Sequence, residues 1–525
     1  MAFHRRGFIK AVYAVPAVAL GTKKLAASNG TQQSQSARAG GTQPASEERT
    51  RGERIIEPAR AVPVAEKVDV LVAGGGPSGV SAAVAAARAG ASVALIERNG
   101  CLGGNGTAGL MGYFGGTDND HVQGLVKEIH ERLRNENGMR RVQVENNGIF
   151  FDVEAMKYVV LQMMEENGVK LRLYTLAAKP IMEGHVVKGA FLESKSGRQA
   201  ILAKMVVDAT GDADLAAASG APCEKGRESD RKTRPMALLF RIGNIDYPKL
   251  AKYVAENPDD VHPSARAGML DLKNQVIRIF GFQETCIKAH KNGDLDPDLH
   301  YIRFEGMTRA STAILNTTRM YDVDGSKAED LTKATVIGYK QIRQLLNVMR
   351  KYIPGLENIE LIEVAPNMGV RESRRIVGEY VYQIEDVSRS TRFPDTLCTT
   401  YRQGTPGTEQ HSPDGGEGKR RERGPESPPP PPPPPTPRIR TPLNRYHIPY
   451  RCLLPQKVEN LLVPGRAMSA SHLAGVWFRG MPNCVMTGQI AGVSAAVAAR
   501  LGAVARKVDI AQVQNTLRKQ GIRIE

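Results

Sequence analysis

Residues 67–106 read KVDVLVAGGGPSGVSAAVAAARAGASVALIERNGCLGGNG, and no other stretch constrains the fold as tightly. Val68 to Ala73 is a short, almost wholly apolar run, as expected of a strand buried on both faces of a parallel sheet. It feeds into Gly74, Gly76 and Gly79, spaced G-x-G-x-x-G. The first glycine permits the tight turn and the second lets backbone approach a pyrophosphate. The third lets the next helix pack close to the strand. Ser78 to Ala89, built of alanine and valine, predicts that helix, and Gly90 ends it. A second strand, Ser92 to Ile96, leads to Glu97, about 20 residues past the glycines, where a carboxylate can accept from ribose hydroxyls. Strand, glycine turn, helix, strand and acid stand in register, which predicts a site for the ADP half of a dinucleotide.

The glycines do not separate NAD from FAD, since both present the same ADP half. The following segment, Arg98-Asn-Gly-Cys-Leu-Gly103-Gly104, resembles FAD-dependent oxidoreductases in which this stretch runs beside the flavin nucleotide. Further along, Ala200 to Val207 reads as a strand entering Asp208-Ala-Thr210-Gly211-Asp212-Ala-Asp214. This resembles the Ala-Thr-Gly motif of two-dinucleotide-fold flavoproteins, which closes the FAD site from the far side; Asp212 or Asp214 also suits a cap on the next helix, Ala213 to Ser219. Asn460-Leu-Leu-Val-Pro-Gly465-Arg466 reads as a third strand and turn. Arg466 stands where many flavoproteins carry an acid. Gly488 opens a final predicted helix running to Leu501, whose N-terminus would lend positive potential to the flavin.

Together with Asn316-Thr-Thr-Arg319, the Pro354-Gly355 helix end and Gly369-Val-Arg371-Glu-Ser-Arg374-Arg-Ile-Val-Gly-Glu-Tyr380, these motifs resemble the bacterial FAD-dependent oxidoreductases related to the flavin subunit of heterodisulfide reductase. The resemblance spans Val68 to Asp386 and Tyr446 to Leu501. It implies FAD and redox chemistry without fixing a substrate. The expected class is α/β: a Rossmann-like FAD domain of the two-dinucleotide-binding type with an interleaved α+β substrate domain.

Length fits two intertwined domains, since 525 residues exceed the roughly 250–300 at which single cores stop growing. The expected boundaries are a signal peptide 1–28, a disordered linker 29–66, FAD-binding parts 67–225 and 445–505, a substrate domain 226–398, a Pro-rich insertion 399–444 and a C-terminal helix or tail 506–525. The leader carries His4-Arg5-Arg6-Gly7-Phe8-Ile9-Lys10, a twin-arginine signature, then a modest apolar run, Ala11 to Leu20, too short for a stable membrane anchor. Export to the periplasm by the twin-arginine machinery is expected, and loading FAD before export agrees with that route. Thr399 to Thr441 departs from the family pattern: the Ser-Pro-Asp-Gly stretch after His411 resembles a remnant of the family's loop, but a charged run and eight consecutive prolines, Pro428 to Pro435, follow it, which reads either as a surface insertion or as a shifted reading frame.

Net charge is +16, from 71 basic against 55 acidic residues, but the basic residues are scattered, and no nucleic-acid partner is expected. The six cysteines are isolated from one another in sequence, which gives an iron–sulfur cluster or zinc site no support. No metal is expected. His121 and His130 read as ordinary surface or core histidines.

Catalytic candidates are His472, whose imidazole titrates near working pH, and Arg371 and Arg374, whose guanidinium forks suit a substrate carboxylate. An equal reading of the arginine group is an ion-paired strand or turn with Glu372, Glu379 and Asp386 as partners. The expected activity is hydride transfer between a small organic substrate and FAD N5, with an unidentified electron acceptor. The alternatives are an electron-transfer subunit and an FAD-binding protein without turnover.

Overall fold

A computed structural model describes residues 55, 57–114, 122–142, 148–258, 260–261, 270–402 and 444–525. The chain divides into a unit of residues 1–60, of which 55 and 57–60 are described, and a unit of residues 61–525. The leader, His121, His411 and the proline run lie outside the described residues.

The second unit is built on β1 (Val64–Ala73), which is followed by α1 (Pro77–Arg88) and β2 (Val93–Ile96). β1 is central because its side chains serve two cores. Val70 and Val72 join the apolar cluster on one face, and Leu71 and Ala73 join that on the other. This explains the unbroken apolar run. β1 pairs in parallel with β2 on one side and with Gly197–Asp208 on the other, and β2 pairs in parallel with Lys170–Arg172. The far edge of Gly197–Asp208 is shared. Its first half takes the antiparallel strand Val186–Ser194, itself paired with Thr175–Glu183, and its end takes the short parallel strand Leu461–Leu462. The three glycine-turn strands thus lie side by side with their ends together.

The helix Met481–Leu501 crosses α1. It is apolar and long enough to span a bilayer, but 89% of its apolar window is buried. Its glycines allow the approach: a Cβ at Gly488 would lie 2.1 Å from the Ser78 carbonyl oxygen, and one at Gly492 would lie 2.1 Å from that of Ala82.

A second, wholly antiparallel sheet has the order Leu270–Asp271, Val276–Gly281, Ile302–Met307, Ala313–Leu315, Phe240–Gly243, Glu360–Val364. The helix Ala328–Tyr352 buries Ile342, Leu345, Leu346 and Met349 in the same core as Phe240, Ile277, Phe304 and Leu315. This α+β layer lies within residues 226–398, and Leu110 and Val153, from outside that range, also enter its core.

Several boundaries differ from expectation. β1 begins at Val64, inside the expected linker 29–66, because Pro63 and Val64 still pair with Ala200. Residues after about 370 leave the substrate layer: Arg374–Ile376 pairs with Cys223–Lys225, and Tyr382, Val387 and Leu397 enter the flavin-side core with Trp477 and Phe478. The expected end at 398 is thus too late, since an arginine-rich segment does not advertise which core its few apolar residues join. Thr396–Arg402 and Asn444–Pro449 are strands paired with each other, so both ends of the expected insertion belong to regular structure. The last long helix starts at Met481 rather than Gly488, with Pro482 in its first turn. A further helix, Ile510–Lys519, follows it.

Candidate functional site

The glycine-rich turn after β1 shows a division of labour. A Cβ on Gly79 would sit 1.8 Å from the Gly74 carbonyl oxygen, and one on Gly74, at φ +97°, would sit 2.5 Å from that of Ala209. These two positions are closed by protein. A Cβ on Gly76 would meet no heavy atom within 4 Å. Gly76 caps α1, so the glycine whose space is open is the one at a helix N-terminus, where backbone N–H groups suit a pyrophosphate. The second glycine pair lies against it: Gly103 N–H donates to the Gly75 carbonyl at 2.8 Å, and a Cβ on Gly104 would approach Gly76 Cα to 2.9 Å.

Glu97 is buried, accepting from Gly75 N–H at 2.6 Å through Oε2, and through Oε1 from Asn99 N–H at 2.8 Å and Asn99 Nδ2 at 2.7 Å. The acid predicted for a ribose therefore fixes the turn beside it. Arg98 is exposed.

The second turn abuts the first through Ala209 and Thr210. Asp208 is fully buried and organises it, accepting from Thr210 N–H at 3.1 Å, Thr210 Oγ1 at 2.6 Å and Ala216 N–H at 2.8 Å. Burial pushes this carboxyl up to about 6, against the hydrogen bonds that favour its charge. Thr210 Oγ1 in turn accepts from Asp214 N–H at 3.0 Å.

The third turn closes on both others. A Cβ on Gly465, at φ +75°, would lie 2.8 Å from Ser78 Oγ in α1. Arg466, the residue replacing the usual acid, donates through Nε to the Gly211 carbonyl at 2.7 Å and through Nη2 to Asp212 Oδ1 at 2.6 Å, and Nη1 donates to the Val370 carbonyl. It is a tie from the third turn to the second and to the segment preceding Arg371. Gly76, Gly211 and Gly465 therefore belong to one contiguous wall. Gly488 is placed differently: it lies two turns inside its helix, against Ser78 and Ser81, where it sets helix spacing.

The arginine group splits three ways. Arg374 donates to the Asp212 carbonyl at 2.8 Å and to Asp214 Oδ1 at 2.5 Å, which makes it a clamp on the second turn. Arg375 is buried and donates to Glu372 Oε1, to the Ala470 carbonyl at 2.9 Å and to the Gly226 carbonyl at 3.1 Å. Arg371 donates only to neutral oxygens, the Pro235 carbonyl at 2.8 Å and Asn316 Oδ1 at 3.2 Å. Burial, with Arg319 and Arg479 nearby, holds its pKa well below the usual arginine range.

His472 begins the short helix His472–Phe478, is buried, and has Nδ1 2.9 Å from Glu372 Oε1. Arg234 donates to Glu372 Oε2 at 3.0 Å and to the His472 carbonyl at 3.0 Å. Burial of Glu372 opposes its charge, but hydrogen bonding to His472 and the charges of Arg234 and Arg375 outweigh it and hold the carboxyl below its ordinary range. The sequence singles out His472 and offers Glu372 only as an ion-pair partner, while Arg234, which joins them here, stands in no motif.

The open space at Gly76, the adjoining Gly103–Gly104 turn and the α1 N-terminus fit the diphosphate of FAD, and the second and third turns close the same wall. A two-dinucleotide-fold flavoprotein is the class these features define. The family described as FAD dependent oxidoreductase matches residues 69–517, and the chain belongs to that family. It is FAD-dependent. No curated protein matches the chain. Similar solved structures include a geranylgeranyl bacteriochlorophyll reductase-like protein of Thermoplasma acidophilum, at 14% identity, TM-score 0.43, covering 86% of this chain and 83% of that one. The p-nitrophenol 4-monooxygenase of Pseudomonas putida has 10% identity and TM-score 0.43, with 86% and 84% covered. A myxobacterial chondrochloren halogenase has 11% identity and TM-score 0.44, with 87% and 79% covered. At such identities and scores they say nothing of the reaction. Among the described residues no group of three His, Cys, Asp or Glu side chains is placed to hold a metal, and the six cysteines are free thiols.

Proposed function

We propose that the protein catalyses hydride transfer between a small organic substrate and FAD N5, with the Glu372–His472 pair holding and moving the proton. FAD, when bound, supplies the redox chemistry; the chain supplies placement and field. The observation that carries the reading is the position of that pair. Glu372 follows Val370 by two residues, and Val370 is tied by Arg466 to the Gly211 turn, which supports a buried carboxylate–imidazole couple acting near the flavin. Glu372 orients the imidazole through the contact at Nδ1, as a general acid–base requires.

The test is anaerobic titration of the yellow protein with hydroxy acids, sugars and amines. Bleaching of the visible band by one of these small molecules, slowed on the order of 10²–10⁴-fold in His472→Asn at unchanged flavin content, is the expected result. A flavin that stays yellow with every small molecule but is reduced by a partner protein would replace this reading with the electron-transfer role resembling the heterodisulfide reductase flavin subunit.

We also propose that the protein is exported folded, by the twin-arginine route, to the periplasm, where an unidentified acceptor reoxidises it. The His4-to-Lys10 signature supports this. Replacing Arg5 and Arg6 together by lysine should retain the protein in the cytoplasmic fraction; unchanged periplasmic recovery would refute it.

A further inference from the structure

Two guanidinium groups at the junction of the two layers have no carboxylate partner among the described residues. Arg319 is 3% exposed, and its Nη1 donates to the carbonyls of Thr317 at 3.2 Å and Thr318 at 2.7 Å, while Nη2 donates to the Tyr301 hydroxyl. Its guanidinium also lies over the Tyr301 ring at 5.2 Å. Arg371 is half-buried and bonds only neutral oxygens. Both reach the same residue, Arg371 to the Asn316 side chain and Arg319 to the Asn316 carbonyl at 3.4 Å. Among the described residues neither has a carboxylate oxygen within 4 Å, whereas the neighbouring Arg303 is paired with Glu305 at 2.6 Å.

A folded protein gathers two such charges at a cost of several kcal/mol unless something compensates them. A second observation marks the same place. The hydroxyl of Tyr321 is buried and has no hydrogen-bond partner among the described residues, although Arg319, Arg371 and Tyr301 are its charged or ionisable neighbours together with Asp298. Buried hydroxyls are nearly always satisfied, so one left open beside two unbalanced cations points to a missing acceptor.

We infer that Arg371 and Arg319 seat a carboxylate of the substrate, with the Tyr321 hydroxyl as a further donor. Planar forks match a carboxylate, and the acceptor oxygens would satisfy all three side chains at once. Arg371 immediately precedes Glu372 in the chain. The inference rests on the proposed flavin-dependent oxidation or reduction and names the substrate class: small organic acids.

The experiment uses the purified yellow protein, titrated with acetate, glycolate, benzoate, benzamide and inorganic phosphate while the visible spectrum and melting temperature are followed. At least one carboxylate should perturb the flavin band and raise the melting temperature, and benzamide should do neither. Arg371→Gln should weaken that response about tenfold or more, keep full flavin, and melt at the same or a higher temperature without ligand, because an unbalanced charge has been removed. Tyr321→Phe should weaken it severalfold. The inference is overturned if no carboxylate gives a response, if Arg371→Gln binds as the wild type does or melts lower, or if phosphate alone binds. A wild-type protein that is colourless and takes up no FAD would instead overturn the flavin reading beneath it.

Discussion

Glu372 Oε1 lies 2.9 Å from His472 Nδ1, and Arg375 Nη1 donates to the same oxygen. One carboxylate therefore balances two arginines and orients the imidazole from a position 5% exposed. Replacing it by glutamine removes the carboxylate charge that Arg234 and Arg375 share. Glu372→Gln should cost about 3–5 kcal/mol in urea unfolding. Because its folded pKa is lowered, the stability Glu372 contributes is present above its unfolded value of 4.5 and is lost as pH falls through the folded value. The gap between wild type and variant should close in acid, and a gap independent of pH would contradict the assignment.

The two glycine positions at the head of α1 should fail in different ways. Gly76→Val places its Cβ in open space, so the protein should fold with near-normal melting but purify colourless. Gly79→Ala drives a methyl into the Gly74 carbonyl and should reduce soluble yield and melting temperature outright. Full flavin retention in folded Gly76→Val would refute the pyrophosphate assignment.

Asp208 predicts a pH dependence of the opposite sign. Its pKa is raised by burial from 3.8 to about 6, so its native state holds the proton more tightly than the unfolded chain. Stability from this group is complete below pH 3.8 and is lost as pH rises through about 6, a change of about 3 kcal/mol. The wild type's advantage over Asp208→Asn should shrink between pH 4 and pH 7. An advantage that grows over that range would show that hydrogen bonds from Thr210 and Ala216 dominate burial.

Gly488 separates packing from flavin contact. Gly488→Ala puts a methyl 2.1 Å from the Ser78 carbonyl and 2.2 Å from Ser81 Oγ, so it should destabilise by about 2–3 kcal/mol. Folded variant should keep its flavin-to-protein ratio. Loss of flavin at unchanged melting temperature would restore Gly488 to the site.

The flavin half was legible because its constraints are local. Gly74, Gly76, Gly79 and Glu97 sit at spacings dictated by one turn and one helix, and Thr210–Gly211 and Gly465 each follow a strand of the same sheet. The Glu372–Arg234–His472 cluster was not legible, because its members come from segments at least 100 residues apart and none stands in a periodic pattern. Arg371 and Arg374 look equivalent in sequence, yet one faces neutral oxygens and the other Asp214. Only the fold decides which arginine is balanced. Gly488 was misplaced for a related reason: glycine serves close packing and ligand approach alike, and the sequence does not say whether a helix or a ligand comes near.

The strand pair Thr396–Arg402 and Asn444–Pro449 brings Arg402 opposite Asn444 in register, and the strands run back from there into the core beneath His472–Phe478. Whatever joins 402 to 444 begins and ends at adjacent points, so its length enters the free energy only through a slowly varying closure entropy. The fold thus has a gateway at which chain of almost any length or composition can be spliced in over evolutionary time while the cofactor-binding architecture stays as it is.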